Sequence, residues 1–180
     1  MIVLGIDPSS TSTGYGLVEY RNRQSRYLDC GCIRPKADLS FEDRLVFLYD
    51  HLGGILAASS PDEVAVESTF FGKDAGAVAK LGQARGVILL AVRQAGKPIA
   101  HYAPAEVKKA VVGRGQATKK QVWFMITRLL GLRDLPHPLD ASDALAIALC
   151  HINHLEFRPP PGEHCPRPEI QALLRRMSRR

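Results

Sequence analysis

Ile2-Val3-Leu4-Gly5-Ile6-Asp7-Pro8 is the stretch on which the fold turns. Its apolar part is nearly unbroken, as a central strand covered on both faces requires, and Asp7-Pro8 stops it with a carboxylate at its tip. Working outward, Tyr15 to Tyr20 and Tyr27 to Ile33 are β-rich runs joined by the polar stretch Arg21 to Arg26, so the first three strands read as an antiparallel meander. Ser40, with Asp43 three residues on, opens a helix carrying Leu45, Leu48, Leu52, Ile55 and Leu56 at helical spacing. Val64 to Glu67, Asp74 to Ala95 and Pro98 to Tyr102 then read as strand, helix and strand. Strand, helix, strand, helix, strand implies right-handed parallel crossovers. The pattern predicts an α/β fold: a five-stranded mixed sheet, three antiparallel strands followed by parallel crossovers, flanked by helices.

Pro104 to Val112 and Thr118 to Leu130 predict two further helices, the second with a capping box from Thr118 and Gln121, and Gly113-Arg114-Gly115 hinges them. Leu139 to Phe157 predicts the last long helix. Beyond it, five of the twelve prolines fall between Pro159 and Pro168. The chain therefore divides into one folded domain over 1–157 and a Pro/Arg-rich tail over 158–180, in which Ile170, Leu173, Leu174 and Met177 keep helical spacing.

The 180 residues suffice for one ordinary core, and 46% hydrophobic with 23% charged residues excludes wholesale disorder and fibrous architectures. The longest aliphatic run, Val87 to Val92, is far short of the roughly 20 apolar residues of a membrane span. The N-terminus lacks the basic leader and apolar core of a secretory signal, so a cytoplasmic location is expected. A net charge of +6 favours a polyanionic partner, although six Arg and two Glu from Arg158 to Arg180 put +4 of it in the tail. Four cysteines are too few for a disulfide scaffold. A zinc site from Cys30, Cys32, Cys150 and His154 lacks the paired C-x-x-C spacing, which favours ordinary buried thiols.

Asp7 ends the first strand, Glu67 ends the fourth, and Asp140 and Asp143 open the last helix three residues apart, on one face. Strand ends of a parallel sheet converge on one rim, where functional crevices form. Four carboxylates gathered there raise one another's pKa unless a cation neutralises them. Oxygen-only ligation selects Mg²⁺ or Mn²⁺ over zinc, and paired ions roughly 4 Å apart suit phosphodiester hydrolysis. Read one at a time, the same residues have structural roles: Asp140 as N-cap, Asp143 as a dipole partner, Asp7 as an Asx turn into Pro8, and Glu67 as an exposed strand end.

Lys108, Lys109, Arg114, Lys119 and Lys120 cluster between Pro104 and Val122 beside glycines that permit close backbone approach. Lys108 and Lys119 read as phosphate contacts, with Lys120 and Arg114 as further nucleic-acid contacts. Phe70 and Phe71 follow Glu67 closely and are either buried anchors or a wedge for an opened base step. Gly82 and Gly86 lie one turn apart on a helix that each weakens by roughly 1 kcal/mol relative to Ala, which needs a close partner: the chain's own sheet or a second copy. His137 stands near Asp140 but reads as a surface-loop histidine, outside the catalytic set.

Gly5-Ile6-Asp7-Pro8 with Thr13-Gly14-Tyr15-Gly16, Val66-Glu67, Lys80-Leu81-Gly82-Gln83-Ala84-Arg85-Gly86, Val107-Lys108, Val111-Val112-Gly113 and Asp140-Ala141-Ser142-Asp143-Ala144-Leu145-Ala146 resemble the RuvC family of Holliday junction resolvases. The resemblance runs from residue 2 to about residue 152, in order, spacing and length. It implies a ribonuclease-H-like fold, a homodimer, and metal-dependent symmetric cleavage of two like-polarity strands at a four-way DNA junction, in recombination and repair. It also implies a branch-migration complex of the RuvA and RuvB type as partner. Asp7, Glu67, Asp140 and Asp143 occupy the family's four catalytic acidic positions, Lys108 and Lys119 its basic positions near the scissile phosphates, and Phe70 its aromatic position at the junction centre. For the helix of Gly82 and Gly86, the resemblance favours the dimer interface. Ser9 departs from the family pattern, where Gly often follows Asp-Pro, and the run Ser9 to Thr13 is unusually rich in hydroxyls. Asp7 through Thr13 loosely suggests a phosphate loop between strands, as in an actin-like ATPase, although 180 residues supply only one of the two lobes such an enzyme needs. A junction-binding protein that does not cut is the third reading.

Overall fold

The N-terminal apolar run forms β1 (Ile2–Asp7), the middle strand of a sheet ordered β3-β2-β1-β4-β5 in a computed structural model that describes residues 1–68, 74–132 and 139–156. Phe70, Phe71, His137 and every residue from 157 onward, which takes in the expected domain boundary and the tail, lie outside the described residues. β1 pairs antiparallel with β2 (Thr13–Arg21), which pairs antiparallel with β3 (Gln24–Ile33). On its other side β1 runs parallel to β4 (Glu63–Glu67), and β4 parallel to β5 (Ile99–Tyr102). The link between β2 and β3 is tighter than the polar stretch Arg21 to Arg26 suggests, because Arg21 still pairs with Gln24. Only Asn22 and Arg23 turn the chain, at φ 54° and 59°, the positive angles that match the twist of a two-residue hairpin.

The crossover helices α1 (Phe41–Ser59) and α2 (Ala75–Gln94) cover one sheet face. Caps fix their starts: Ser40 accepts from the Asp43 amide, and Asp74 from the Gly76 and Ala77 amides. The other face carries α3 (Pro104–Val112), α4 (Lys119–Leu129) and α5 (Leu139–Glu156). Strand alternation sorts β1 between the two layers. Leu4 and Ile6 pack with Leu52 and Ile88, whereas Val3 packs with Leu145 and Ala148. By length and mean hydropathy (20 residues, 1.4) α2 is long and apolar enough to cross a membrane. In the fold, one side of it buries Ala84, Ile88, Ala91 and Val92, while Ala79, Gly82, Gly86 and Leu90 face outward.

Glycines let α5 lie directly on the sheet. A Cβ on Gly5 would stand 2.0 Å from the Ala144 carbonyl oxygen, and one on Gly14 would stand 2.2 Å from the Asp140 carbonyl oxygen. A strand glycine of this kind marks close backbone approach. At the far end of α5, buried His151 bridges to the Tyr102 hydroxyl through Nδ1 and to Glu63 Oε2 through Nε2, both at 2.8 Å, tying α5 to β4 and β5. Such a satisfied polar cluster fixes the helix against sliding along an otherwise apolar contact.

Candidate active site

Parity along the strands decides where the acids point. Asp7 shares its face of β1 with Val3 and Gly5, and Glu67 shares its face of β4 with Ala65, so both carboxylates face the α5 layer. Ile6 pairs with Val66, which sets Asp7 and Glu67 side by side at the ends of adjacent parallel strands. Asp140 and Asp143 come down on them from the first turns of α5, at the height set by the Gly14 contact. Oxygens of Asp7, Asp140 and Asp143 all lie within 4.8 Å of one another. Glu67 joins through a side-chain hydrogen bond with Asp7.

Asp7, Glu67 and Asp143 line a cleft of about 310 Å³ together with Lys108 of α3 and Lys119 of α4. Lys119 Nζ donates to Asp143 Oδ2 at 2.9 Å. Burial first, then the charges of Glu67, Asp143 and Asp140, push Asp7 up to about 8, against the opposing pull of Lys119. Burial, then the Asp143 charge, also raises Glu67, while the hydrogen bond from Asp7 and the charges of Lys108 and Lys119 oppose it. The hydrogen bond to Asp143 raises Lys119 in turn. Burial and mutual repulsion thus favour the protonated form at Asp7 and Glu67, opposed by the neighbouring lysine charges, the signature of carboxylates gathered more closely than water alone would tolerate. Hard oxygen donors at this spacing fit a divalent cation.

The fold thus brings together Asp7, Glu67, Asp140, Asp143, Lys108 and Lys119. It leaves Arg114 and Lys120 exposed outside the cleft lining, and it puts Gly82 and Gly86 on the open side of α2, where a Cβ would meet none of the described residues within 4 Å. Packing on the chain's own sheet therefore does not explain those two glycines. Asp140 lies inside the helix and accepts a hydrogen bond from Ser12, so it is not the N-cap. Cys30, Cys32, Cys150 and His154 form no ligand cluster among the described residues. Sequence reasoning missed Ser12 and Arg34, which adjoin Asp140, and the positional role of Gly5 and Gly14. Glycine inside a strand pattern was the available signal for the latter.

A mixed sheet in this order, with a carboxylate cluster on its parallel rim under a packed helix, defines a nuclease of the ribonuclease-H-like class. The family model described as "Crossover junction endodeoxyribonuclease RuvC" matches residues 3–151, and the chain belongs to that family. Crossover junction endodeoxyribonuclease RuvC of Pelotomaculum thermopropionicum is 43% identical over 154 residues, covering 86% of this chain and 94% of that protein. A RuvC structure from Thermus thermophilus superposes with a TM-score of 0.80 at 34% identity, over 87% of this chain and 96% of that one. The T. thermophilus RuvC in complex with Holliday junction substrate gives 0.81 at 35% identity, over 86% and 94%.

Proposed function

We propose that this endodeoxyribonuclease resolves four-way DNA junctions by divalent-metal-dependent hydrolysis of two symmetric phosphodiester bonds. The observation that carries the reading is the convergence of Asp7, Asp140 and Asp143 oxygens within 4.8 Å, beside Glu67, Lys108 and Lys119. Mg²⁺ or Mn²⁺, two ions per site, held by Asp7, Glu67, Asp140 and Asp143, would supply water activation and charge neutralisation at the leaving 3′ oxygen. As a ligand Asp7 would be ionised, a state that burial and three neighbouring acids make costly without a cation. Lys108 and Lys119 line the cleft where the scissile phosphate lies, and their charges hold its non-bridging oxygens.

Lys120 and Arg114, both exposed, extend the contact to neighbouring phosphates. Phe70, two residues beyond the described end of the β4 segment, serves as the wedge at the junction centre. A second copy packs on the outward face of α2 at Gly82 and Gly86, and the resulting two-fold axis offers paired sites to a pseudo-symmetric junction. A branch-migration complex of the RuvA and RuvB type is the partner that would deliver such a junction.

The test incubates the full chain with an end-labelled mobile four-way junction and a linear duplex of matching sequence, in Mg²⁺, Mn²⁺ or EDTA. Paired, symmetric nicks on the junction alone, present with metal and absent in EDTA, are expected. Junction binding with no nicks in either metal would make the protein a binding module, and equal nicking of the duplex would remove the selectivity.

A further inference from the structure

We propose that Ser12 and Arg34 are positioning residues that hold the Asp140 carboxylate in its metal-binding pose, an inference that rests on the reading of Asp140 as a metal ligand. Ser12 Oγ donates to Asp140 Oδ2 at 2.8 Å, across 128 residues of sequence. Arg34 Nε donates to Ser12 Oγ at 3.0 Å. A guanidinium N–H only donates, so the serine oxygen accepts from Arg34 and turns its single proton to the side of Asp140 and the Cys32 thiol, where the carboxylate at 2.8 Å is the stronger acceptor. The hydroxyl is thereby given one orientation, and one Asp140 oxygen is fixed while the rest of the carboxylate stays available to an ion.

The hydroxyl-rich loop between β1 and β2 is built to keep Ser12 in place. Ser9 Oγ accepts from the Thr11 and Ser12 amides at 3.2 and 3.3 Å. Thr13, buried, donates from Oγ1 to the Ser9 carbonyl at 2.8 Å. Arg34 follows Ile33, which pairs with Thr13, so sheet register sets donor and acceptor beside each other. The hydroxyls of Ser9, Thr11, Ser12 and Thr13 are spent on the loop's own shape and on Asp140, a structural account of the hydroxyl-rich run. Asp140 is the acid that needs an external hold: Asp143 has Lys119, and Asp7 has Glu67. Partners that orient a ligand in this way typically contribute roughly 10- to 100-fold to metal affinity.

The test titrates Mn²⁺ into the DNA-free full chain, with free Mn²⁺ read by electron paramagnetic resonance, for wild type, Ser12→Ala, Ser12→Thr, Arg34→Ala, the Ser12→Ala/Arg34→Ala pair and Asp140→Asn. Ser12→Ala is expected to weaken Mn²⁺ binding about 10-fold or more. Ser12→Thr, which keeps the hydroxyl, restores it, and Arg34→Ala adds nothing to Ser12→Ala. Thermal melts in EDTA establish that each variant is folded. Wild-type affinity in Ser12→Ala with loss in Asp140→Asn would overturn the positioning role alone, as would failure of threonine to rescue. Wild-type affinity in Asp140→Asn would instead overturn the metal reading of that residue. Additive losses in the double variant would remove Arg34 from the relay, leaving it a phosphate contact at most.

Discussion

Asp7→Asn should stabilise the metal-free protein, and by an amount that depends on pH in a defined way. The native carboxyl titrates near 8, pushed there by burial and by Glu67, Asp143 and Asp140, against an ordinary value of 3.8. Because the folded value is the higher one, the native state binds the proton more tightly than the unfolded chain. The contribution linked to Asp7 is therefore fully present below pH 3.8 and is lost as the pH climbs through the interval to about 8. At 1.36 kcal/mol per pH unit, the cost is under ~2 kcal/mol at pH 5, of order 4 at pH 7, and levels off above pH 8. Asparagine is nearly isosteric, keeps an N–H to donate to Glu67 and never ionises, so it escapes that cost. With roughly 2–4 °C per kcal/mol for a chain of this length, the variant should melt on the order of 10 °C above wild type at pH 7.

The assay is differential scanning calorimetry in EDTA from pH 5 to 9. A gap that widens to pH 8 and then flattens is expected. Saturating Mg²⁺ should raise the melting temperature of wild type and leave Asp7→Asn almost unmoved, reversing the advantage. A variant that melts no higher than wild type at pH 8, or a gap independent of pH, would refute the account of strained, cation-seeking carboxylates.

Gly14→Ala places a methyl carbon 2.2 Å from the Asp140 carbonyl oxygen, so α5 must lift off the sheet; a loss of about 3 kcal/mol in urea unfolding, with cleavage falling further than stability explains, is expected. Gly86→Ala, whose added methyl meets none of the described residues within 4 Å, should stabilise the isolated fold by up to about 1 kcal/mol. Gly86→Arg should instead convert a dimer to monomers in sedimentation equilibrium while leaving the far-ultraviolet circular dichroism unchanged, and a persistent dimer would place the interface elsewhere.

Much of this molecule is written in local signals. The run ending at Asp7, the caps at Ser40 and Thr118, and the helical spacing of Leu45, Leu48 and Leu52 each depend on neighbours within one or two turns, so they fix element type without knowledge of the rest of the chain. The four acids were legible for a related reason: each ends or opens an element, and topology carries element ends to a common rim. The two-residue turn at Asn22 and Arg23 was not, because arginine at positive φ is held by the register of Arg21 against Gln24 and not by its own preference.

Only the tertiary structure decided the rest, since the partners lie far apart in sequence. Gly14 is a strand residue until α5 is laid across it, and Ser12 is one of several loop hydroxyls until Asp140 arrives 128 residues later. His151 meets Glu63 across 88 residues, and only packing brings them together. Gly82 and Gly86 reverse the argument: helical spacing marked a close contact, and only the placed backbone reveals that none of the described residues makes it. Sequence determines which groups stand at the ends of elements. Packing determines which of them touch, because van der Waals contact and hydrogen bonding act over a few ångströms, and such distances exist only once the helices are seated on the sheet.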